Sequence, residues 1–379
     1  MSGSIRPLTL EQATIRQDCI PRHTAWAYIV VAHNYFTTNF CRGRNLMGWK
    51  VMITDVSFPD VSLELAELRL IDATLVRLNC KTANDVIHQC QEADALLVQY
   101  APITAEVLNN LPRLKAIGRY GIGVDMIDIP AATKNNVMVC NVPGYCIEEV
   151  ATHALTMILY WARRLKTYQQ DVMDQKWNLS KPDAPHLVHR LRGQTLGLVG
   201  AGRIAQKLAT MANALGMSVA YYDPYIRANP FEAMRSVSLE ELIKTSDFIS
   251  IHCPLTDETR GLFNEQVFQA MKSSSVLVNT ARGAVVNNAA LEKALCNGWI
   301  AGAGLDNLEP EPPDWNDTLL AAPNLVVTPH VAFYSEESLG DLQRLTAQAI
   351  ADLYRHKIPE GLLNSEIFPG FLQRMQSDD

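Results

Sequence analysis

A glycine-rich turn near the middle of the chain has residue types suited to binding a phosphate. It reads Gly200-Ala-Gly-Arg-Ile-Ala205, the pattern G-x-G-x-x-A, and it lies between an apolar run and an amphipathic helix pattern. Gly200 allows a tight turn, Gly202 lets the backbone approach a pyrophosphate, and Ala205 permits close packing of helix on strand. The helix N-terminus adds free N–H groups. This context predicts a dinucleotide-binding domain of the Rossmann type.

The residue that ends the next predicted strand indicates which dinucleotide would bind. This residue is Asp223. A carboxylate at this point accepts hydrogen bonds from the ribose hydroxyls and repels a 2′-phosphate. We therefore predict NAD, not NADP, as the cofactor. If that prediction fails, Arg227 is the first candidate for a 2′-phosphate ligand.

Several charged or titratable residues follow predicted strands and could do chemistry beside the dinucleotide. Arg282, Glu311 and His330 follow three successive strands, and such strand ends meet at one edge of a parallel sheet. A histidine suits proton transfer because its unperturbed pKa is about 6.5 and a carboxylate partner raises it. A guanidinium binds a carboxylate bidentately. His252 also ends a strand, and these residues alone do not choose between it and His330.

The elements that must position these residues form two series of strands that alternate with helix patterns. The strands are continuous apolar runs, which is typical of parallel sheets buried on both faces. Long helix patterns over 148–177 and 336–356 connect the two series, Ser238–Glu241 predicts a capping box, and Gly298 predicts a helix end. The sequence therefore predicts an α/β protein with two doubly wound parallel-sheet domains. The predicted strands are Val51–Thr54, Leu75–Leu78, Ala95–Gln99, Ala116–Arg119, Val137–Cys140, Leu196–Val199, Ser218–Tyr222, Phe248–His252, Val276–Asn279, Ala301–Leu305 and Val326–Thr328.

Composition excludes several other classes of protein. The 379 residues include 33 basic and 40 acidic side chains, a net charge of −7, which argues against a nucleic-acid binder. The 8 cysteines have no C-x-x-C spacing, so we expect no zinc ribbon, no metal and a reducing cytoplasm. The apolar centre of the stretch Thr24–Cys41 is too short to cross a bilayer, so we expect no membrane span.

A set of motifs gives the chain from about residue 47 to 367 a family resemblance. It resembles the D-isomer-specific 2-hydroxyacid dehydrogenases, closest to their C-terminal-binding-protein branch, which is related to the phosphoglycerate dehydrogenases. The motifs that carry the resemblance are Arg119-Tyr-Gly-Ile-Gly-Val-Asp125, Leu196-Gly-Leu-Val-Gly-Ala-Gly-Arg-Ile204, Tyr222-Asp-Pro224, His252-Cys-Pro-Leu-Thr256, Val278-Asn-Thr-Ala-Arg-Gly283, Gly304-Leu-Asp306, Glu311-Pro312, Thr328-Pro-His330 and His330-Val-Ala-Phe-Tyr-Ser-Glu-Glu337.

The resemblance implies a working enzyme. It implies NAD-dependent reduction of a small 2-keto acid, such as glyoxylate, hydroxypyruvate, pyruvate or phosphohydroxypyruvate. It selects His330 as the proton donor, with Glu311 as its partner and Arg282 as the ligand of the substrate carboxylate. The alternative is an NADH-sensing scaffold of the corepressor kind with incidental activity. The complete set of three catalytic residues favours the enzyme.

The resemblance also assigns binding residues. It implies that the cofactor contacts Gly200, Gly202, Arg203, Ile204, Asp223, His252, Cys253, Pro254, Thr280, Ala281 and Asp306. It implies that the substrate contacts Arg119, Tyr120, Gly121, Ile122, Gly123 and Phe333, the last in place of the branch's tryptophan. The other histidines match no functional position, and we expect them to be surface or packing residues. They are His23, His33, His88, His153, His186, His189 and His356.

The domain organisation follows from the position of the glycine turn after one complete strand series. We expect an N-terminal extension over residues 1–47, a flavodoxin-like substrate domain from 48–149 and 333–379, and an inserted NAD-binding domain over 150–332. The helix pattern Val150–Trp161 carries more apolar residues than one buried face needs. It predicts a homodimer in which this helix is buried.

Overall fold

The first of two parallel sheets is formed by the N-terminal half of the described chain. The computed structural model describes residues 48–177, 188–226 and 232–378. Its five-stranded sheet has the order β2-β1-β3-β4-β5, with every neighbouring pair parallel. This is the flavodoxin-like doubly wound order. The strands are β1 (Lys50–Ile53), β2 (Thr74–Arg77), β3 (Ala95–Val98), β4 (Ala116–Arg119) and β5 (Met138–Cys140), and the helices between them are α1 (Ser62–Arg69), α2 (Ala83–Gln89), α3 (Ala105–Asn110) and α4 (Ile129–Lys134).

The second sheet has seven parallel strands in the order β12-β11-β10-β9-β6-β7-β8. The order reverses at β6, which places a topological switch point between β6 and β9, as in dinucleotide-binding folds. The predicted fold class is confirmed. The strands are β6 (Thr195–Val199), β7 (Ser218–Tyr222), β8 (Arg235–Ser236), β9 (Phe248–Ile251), β10 (Val276–Asn279), β11 (Gly302–Leu305) and β12 (Leu325–Val327), and the helices are α7 (Arg203–Ala214), α8 (Leu239–Thr245), α9 (Glu265–Ala270) and α10 (Asn288–Cys296).

The segment after β5 forms two helices where the sequence predicts one. These are α5 (Ile147–Ala162) and α6 (Leu165–Met173). Arg164 between them has a φ of 51°, in the left-handed region, which interrupts the helical hydrogen bonds. The prediction of a continuous helix is wrong because the break contains neither glycine nor proline, and the sequence pattern therefore gives no stop signal.

The two crossover helices pack on different sheets. Helix α5 packs on α7, β10 and β11 of the second sheet, and it buries Val150, Ala154 and Ile158. Helix α11 (Glu336–Tyr354) packs instead on α1 and β4 of the first sheet. Helix α12 (Phe368–Asp378) follows it. The chain thus passes from the first sheet to the second through α5 and returns through the loop before α11.

A buried asparagine fastens the returning C-terminal segment to the first sheet. The Oδ1 atom of Asn364 accepts a hydrogen bond from the Val139 N–H at 2.9 Å, and its Nδ2 atom donates to the Val137 carbonyl at 2.9 Å. Both partners lie at or beside β5. These bonds attach the C-terminal segment around Asn364 to the first sheet.

The two predicted helix signals have different outcomes. Ser238 caps α8 by accepting a hydrogen bond from the Glu241 N–H, but the Glu241 carboxylate pairs with Arg235 and does not return to Ser238. Only half of the predicted capping box is therefore present. Gly298 follows α10 with a φ of 66°, which confirms it as the residue that ends that helix.

Some predictions fall outside the described residues. These are the N-terminal extension 1–47, residues 178–187 of the connecting segment, and Arg227. Within the described part of the chain, no helix has the length and hydropathy needed to cross a membrane.

Candidate active site

A cleft of about 400 Å³ lies where the carboxyl ends of the two sheets face each other. The fold rule for parallel sheets predicts a ligand site at this position. Residues from both sheets line it, and most of the predicted site residues are among them. Those residues are Arg119, Ile122, Gly123, Ile204, His252, Cys253, Pro254, Thr280, Ala281, Arg282, Asp306, His330 and Phe333.

His330 and Glu311 form a hydrogen-bonded pair at the edge of the cleft. The Nδ1 atom of His330 lies 2.8 Å from Oε2 of Glu311, and Oε1 of Glu311 accepts a hydrogen bond from the Leu308 N–H at 3.1 Å. Burial raises the pKa of Glu311, but its hydrogen bond to His330 and the charge of that imidazole outweigh burial and leave the pKa below its usual value. Because a carboxylate only accepts, Nδ1 must donate. When the ring is protonated, Nε2 carries the second proton, and this is the proton that the ring can transfer.

The loop that carries His330 is held by a buried carboxylate. Asp306 is 1% exposed, and its two oxygens accept hydrogen bonds from the Val331 N–H at 3.0 Å and the Ala332 N–H at 2.9 Å. The Thr328 hydroxyl donates to the same carboxylate at 2.5 Å. These bonds fix a loop in which His330 has a φ of 53°, a left-handed conformation that is uncommon for a histidine.

His252 has different surroundings. Its Nε2 atom lies 2.9 Å from the Ser250 hydroxyl, and burial lowers the pKa of His252 to about 4. At neutral pH the ring is therefore uncharged and has no proton to give readily. These surroundings separate two histidines that sequence alone leaves as equal candidates.

Arg282 reaches across the cleft from the second sheet to the first. Its Nε atom donates to Oδ2 of Asp125 at 2.8 Å, and its Nη1 atom donates to the Ala281 carbonyl at 2.8 Å. A Cβ atom on Gly123 would lie 1.4 Å from Nη2 of Arg282, so the guanidinium packs directly against this glycine. Nη2 remains directed at the glycine loop, where a carboxylate could bind.

Arg119 lies beneath the same loop with few partners. One of its Nη atoms donates to the Tyr120 carbonyl, and its Nε atom is buried without a hydrogen-bond partner among the described residues. Burial lowers the pKa of Arg119, and the nearby charge of Arg282 lowers it further, while Tyr145 opposes the shift. A guanidinium that is desolvated in this way favours an anion nearby.

The side chain of Tyr120 points away from the cleft. Its hydroxyl donates to Oε1 of the buried Glu64 at 2.9 Å, within the core of the first sheet. Only the backbone of Tyr120 can therefore serve the predicted substrate loop. Gly121 follows it with a φ of 134°, where a side chain would be strained.

The glycine turn has the geometry expected for an anion cradle. Gly200 has a φ of 94°, and a Cβ there would lie 2.8 Å from the Cys253 nitrogen. Gly202 begins α7 without a side-chain cap, and a Cβ there would meet open space. The N–H groups of the first helical turn are therefore available to a pyrophosphate. Arg203 in that turn pairs with Glu360 at 2.8 Å.

Asp223 lies beside the cradle, directly after β7. Its two oxygens accept hydrogen bonds from the Ala201 N–H and the Tyr225 N–H, each at 3.0 Å. Each oxygen keeps a lone pair for a hydroxyl. Near the other end of the cleft, the hydroxyl of Thr280 is buried and has no partner within the described chain. These features fit a dinucleotide.

Among the residues of this region that the sequence did not assign to the site, two make polar contacts that matter to it. Asp125, the partner of Arg282, is the last residue of a quoted motif, and its acidic type near a cationic ligand was the available signal. His153 was expected to be a surface or packing residue, but its Nε2 atom lies 3.0 Å from the Thr328 hydroxyl. Helical spacing alone does not reveal that contact.

Comparisons with known proteins identify related sequences and structures. Residues 155–332 match the family model described as "D-isomer specific 2-hydroxyacid dehydrogenase, NAD binding domain". A glyoxylate reductase of Korarchaeum cryptofilum is 39% identical over 294 residues, which are 76% of this chain and 88% of that protein. A D-3-phosphoglycerate dehydrogenase of Bacillus subtilis is 37% identical over 294 residues, 76% of this chain and 54% of that protein.

A solved structure has a similar fold over most of this chain. The D-lactate dehydrogenase of Aquifex aeolicus, complexed with NAD and lactic acid, superposes with a TM-score of 0.73 at 32% identity. The match covers 85% of this chain and 98% of that one.

The environment of His252 predicts its titration. We expect its imidazole to stay neutral as the pH falls from 8 to about 5, because burial lowers its pKa to about 4. Nitrogen NMR of the imidazoles measures this, with the His252→Gln variant to identify the resonance. A midpoint between pH 6 and 7 would contradict the environment described here.

Proposed function

The chain belongs to the D-isomer-specific 2-hydroxyacid dehydrogenases, and from this premise we propose that it reduces a small 2-keto acid that carries a single negative charge. It is an NAD-dependent oxidoreductase that acts on a CH–OH group. The observation that carries the proposal is the His330–Glu311 pair, which faces Arg282 across one cleft.

The chain's own residues would bind the substrate carboxylate, polarise the keto group and donate the proton. Bound NADH supplies the hydride. Nη2 of Arg282 and the N–H groups of the glycine loop bind the substrate carboxylate, which orients the keto group and favours its polarised form. His330 gives the proton on Nε2 to the oxygen as negative charge develops there. Glu311 stabilises the charged imidazole before transfer.

The cofactor would be held by residues on the second sheet. The first turn of α7, from Arg203, would bind the pyrophosphate, and Asp223 would bind the ribose. We propose that His252, Cys253 and Pro254 line the adenosine side, and that Thr280 and Ala281 line the nicotinamide side. We propose that Asp306 also contacts the cofactor. Its carboxylate then has two roles, since its oxygens already accept hydrogen bonds from the His330 loop.

The balance of charge supports a monoanionic substrate. Asp125 pairs with Arg282 and Glu311 pairs with His330, so Arg119 is the cleft guanidinium left without a carboxylate partner among the described residues. One substrate carboxylate would pair with that guanidinium, since Asp306, the third carboxylate of the cleft, is already satisfied by the Thr328 hydroxyl and two backbone N–H groups. A phosphorylated keto acid would bring about two further negative charges, for which the described lining residues offer no additional cation. This balance favours substrates such as glyoxylate, hydroxypyruvate and pyruvate over phosphohydroxypyruvate.

The assembly that we propose is a homodimer in the cytoplasm. Helix α5 buries most of its apolar residues within the chain, and Leu155 and Trp161 are only partly covered. Larger exposed apolar side chains follow on α6, where Val172 is 54% and Met173 is 72% exposed. A surface of this kind is suited to a second copy of the chain.

The substrate proposal is tested with a panel of 2-keto acids. We expect NADH oxidation with glyoxylate, hydroxypyruvate or pyruvate to exceed that with phosphohydroxypyruvate by at least about tenfold in kcat/KM, because one unbalanced charge in the cleft costs on the order of 1.4 kcal/mol or more. Preference for the phosphorylated acid would contradict the charge balance. No turnover with any member would contradict the proposed reaction.

Asp223 predicts the choice between NADH and NADPH. Asp223→Ala should weaken NADH binding roughly tenfold and narrow its advantage over NADPH, since both the ribose acceptor and the repelling charge are lost. Asp223→Asn is the matched control, which keeps the shape and removes the charge. Fluorescence titration with each dinucleotide measures both effects. A wild type that prefers NADPH would show that Asp223 has been misinterpreted.

Glu311 predicts the pH dependence of reduction. The reaction needs protonated His330, so kcat/KM should fall as the pH rises. Glu311→Gln removes the charge that stabilises the protonated ring, and the midpoint of this fall should move to lower pH. Glu309→Gln, an exposed residue of the same loop, is the control. An unmoved midpoint in Glu311→Gln would show that Glu311 is not the functional partner of His330.

The dimer proposal predicts the mass in solution. Light scattering at micromolar concentration should give twice the chain mass of 42.1 kDa. Val172→Glu places a charge on the exposed apolar face of α6 and should produce monomer, whereas Gln170→Glu on another face should not. A wild-type monomer would exclude this assembly.

A further inference from the structure

A chain of hydrogen bonds connects the first crossover helix to the loop of His330. The Nε2 atom of His153 on α5 lies 3.0 Å from the Thr328 hydroxyl, and that hydroxyl lies 2.5 Å from Oδ1 of Asp306. Asp306 in turn accepts hydrogen bonds from the N–H groups of Val331 and Ala332. The three side chains come from α5, from the end of β12 and from the end of β11.

The direction of these bonds is fixed by their acceptor. The Asp306 carboxylate can only accept, so the Thr328 hydroxyl donates its one proton to it. The hydroxyl oxygen can then only accept from His153, whose Nε2 must carry a proton. His153 therefore acts as a donor in either its neutral or its charged form. It holds the hydroxyl in the orientation that serves Asp306.

A second contact joins α5 to the other end of the same loop. The Ser335 hydroxyl donates to Oε1 of Glu149 at 2.8 Å while Ser335 caps α11. Glu149 and His153 are separated by four positions in the sequence and so lie on one side of the helix. The loop from Thr328 to Ser335 is thus bound to α5 at both ends.

The loop needs such support because of the conformation of His330. A left-handed backbone conformation is strained for a residue with a side chain and persists only where its surroundings determine it. The Thr328 hydroxyl supplies one of the three hydrogen bonds by which the Asp306 carboxylate holds this loop. Helix α5 packs on the second sheet, so it provides a rigid support.

We propose that His153 is a positioning residue for the reduction: through Thr328 and Asp306 it keeps the His330 loop in its active conformation. The inference rests on the proposed function for its effect on catalysis. Its structural part, the ordering of residues 328–335, stands independently of that function.

The experiment compares His153→Leu with His153→Gln in the full-length protein. Leucine removes the donor, whereas the amide of glutamine can place an N–H close to the position of Nε2. Hydrogen–deuterium exchange of the peptide covering 328–335 should rise about tenfold in His153→Leu, the equivalent of one lost bond of about 1.4 kcal/mol. In His153→Gln it should stay within about threefold of the wild type.

Activity supplies the second measurement. His153→Leu should lower kcat roughly tenfold while KM for NADH changes less than about twofold, and His153→Gln should recover most of kcat. Thr328→Val breaks the same chain, so the double variant should be no worse than about twofold below either single variant. Thr156→Ala, an exposed residue of α5, is the control and should resemble the wild type.

Three results would overturn the proposal. These are unchanged exchange over 328–335 in His153→Leu, an equal rise throughout α11, and a His153→Gln variant as impaired as His153→Leu. If the wild type reduces none of the keto acids, the proposed function has failed, and exchange still decides whether His153 orders the loop.

Discussion

The carboxylate of Asp306 is the interaction on which the geometry of the cleft depends. It is almost fully buried, and it accepts hydrogen bonds from one hydroxyl and two backbone N–H groups of the loop after β12. A buried carboxylate is costly unless its lone pairs are satisfied. Because this one is satisfied by the loop itself, the loop cannot move away without exposing an unpaired charge. His330 keeps its strained backbone for that reason.

The second constraint is the ion pair between Arg282 and Asp125, which spans the two sheets. An alanine at position 123 would force the Arg282 side chain to shift, since its Cβ would lie where the guanidinium lies now. A glycine in the loop and an arginine after β10 therefore depend on each other, although more than a hundred residues separate them in sequence. The cleft is formed by such pairs and by neither sheet alone.

Much of the fold could be predicted because buried parallel strands are recognisable as continuous apolar runs. The exposed two-residue strand β8 was missed because it has no apolar residue. The glycine turn could be read because phosphate binding requires particular small residues at fixed spacing. The role of His153 could not, since its contact joins residues 153 and 328 through the tertiary structure. The residues alone do not choose between His252 and His330; the family resemblance selects His330, and the structure adds that the two histidines differ in burial and partner.

The most direct test of the account is the His330→Ala variant, with NADH binding and turnover measured separately. We expect kcat to fall by about 10²–10⁴-fold, since only the proton donor is lost. The Kd for NADH should stay within about twofold of the wild type, and the exposed His88→Ala variant should be unaffected in both measurements. A loss of kcat below about tenfold, with NADH binding intact, would contradict the assignment of His330 as the proton donor.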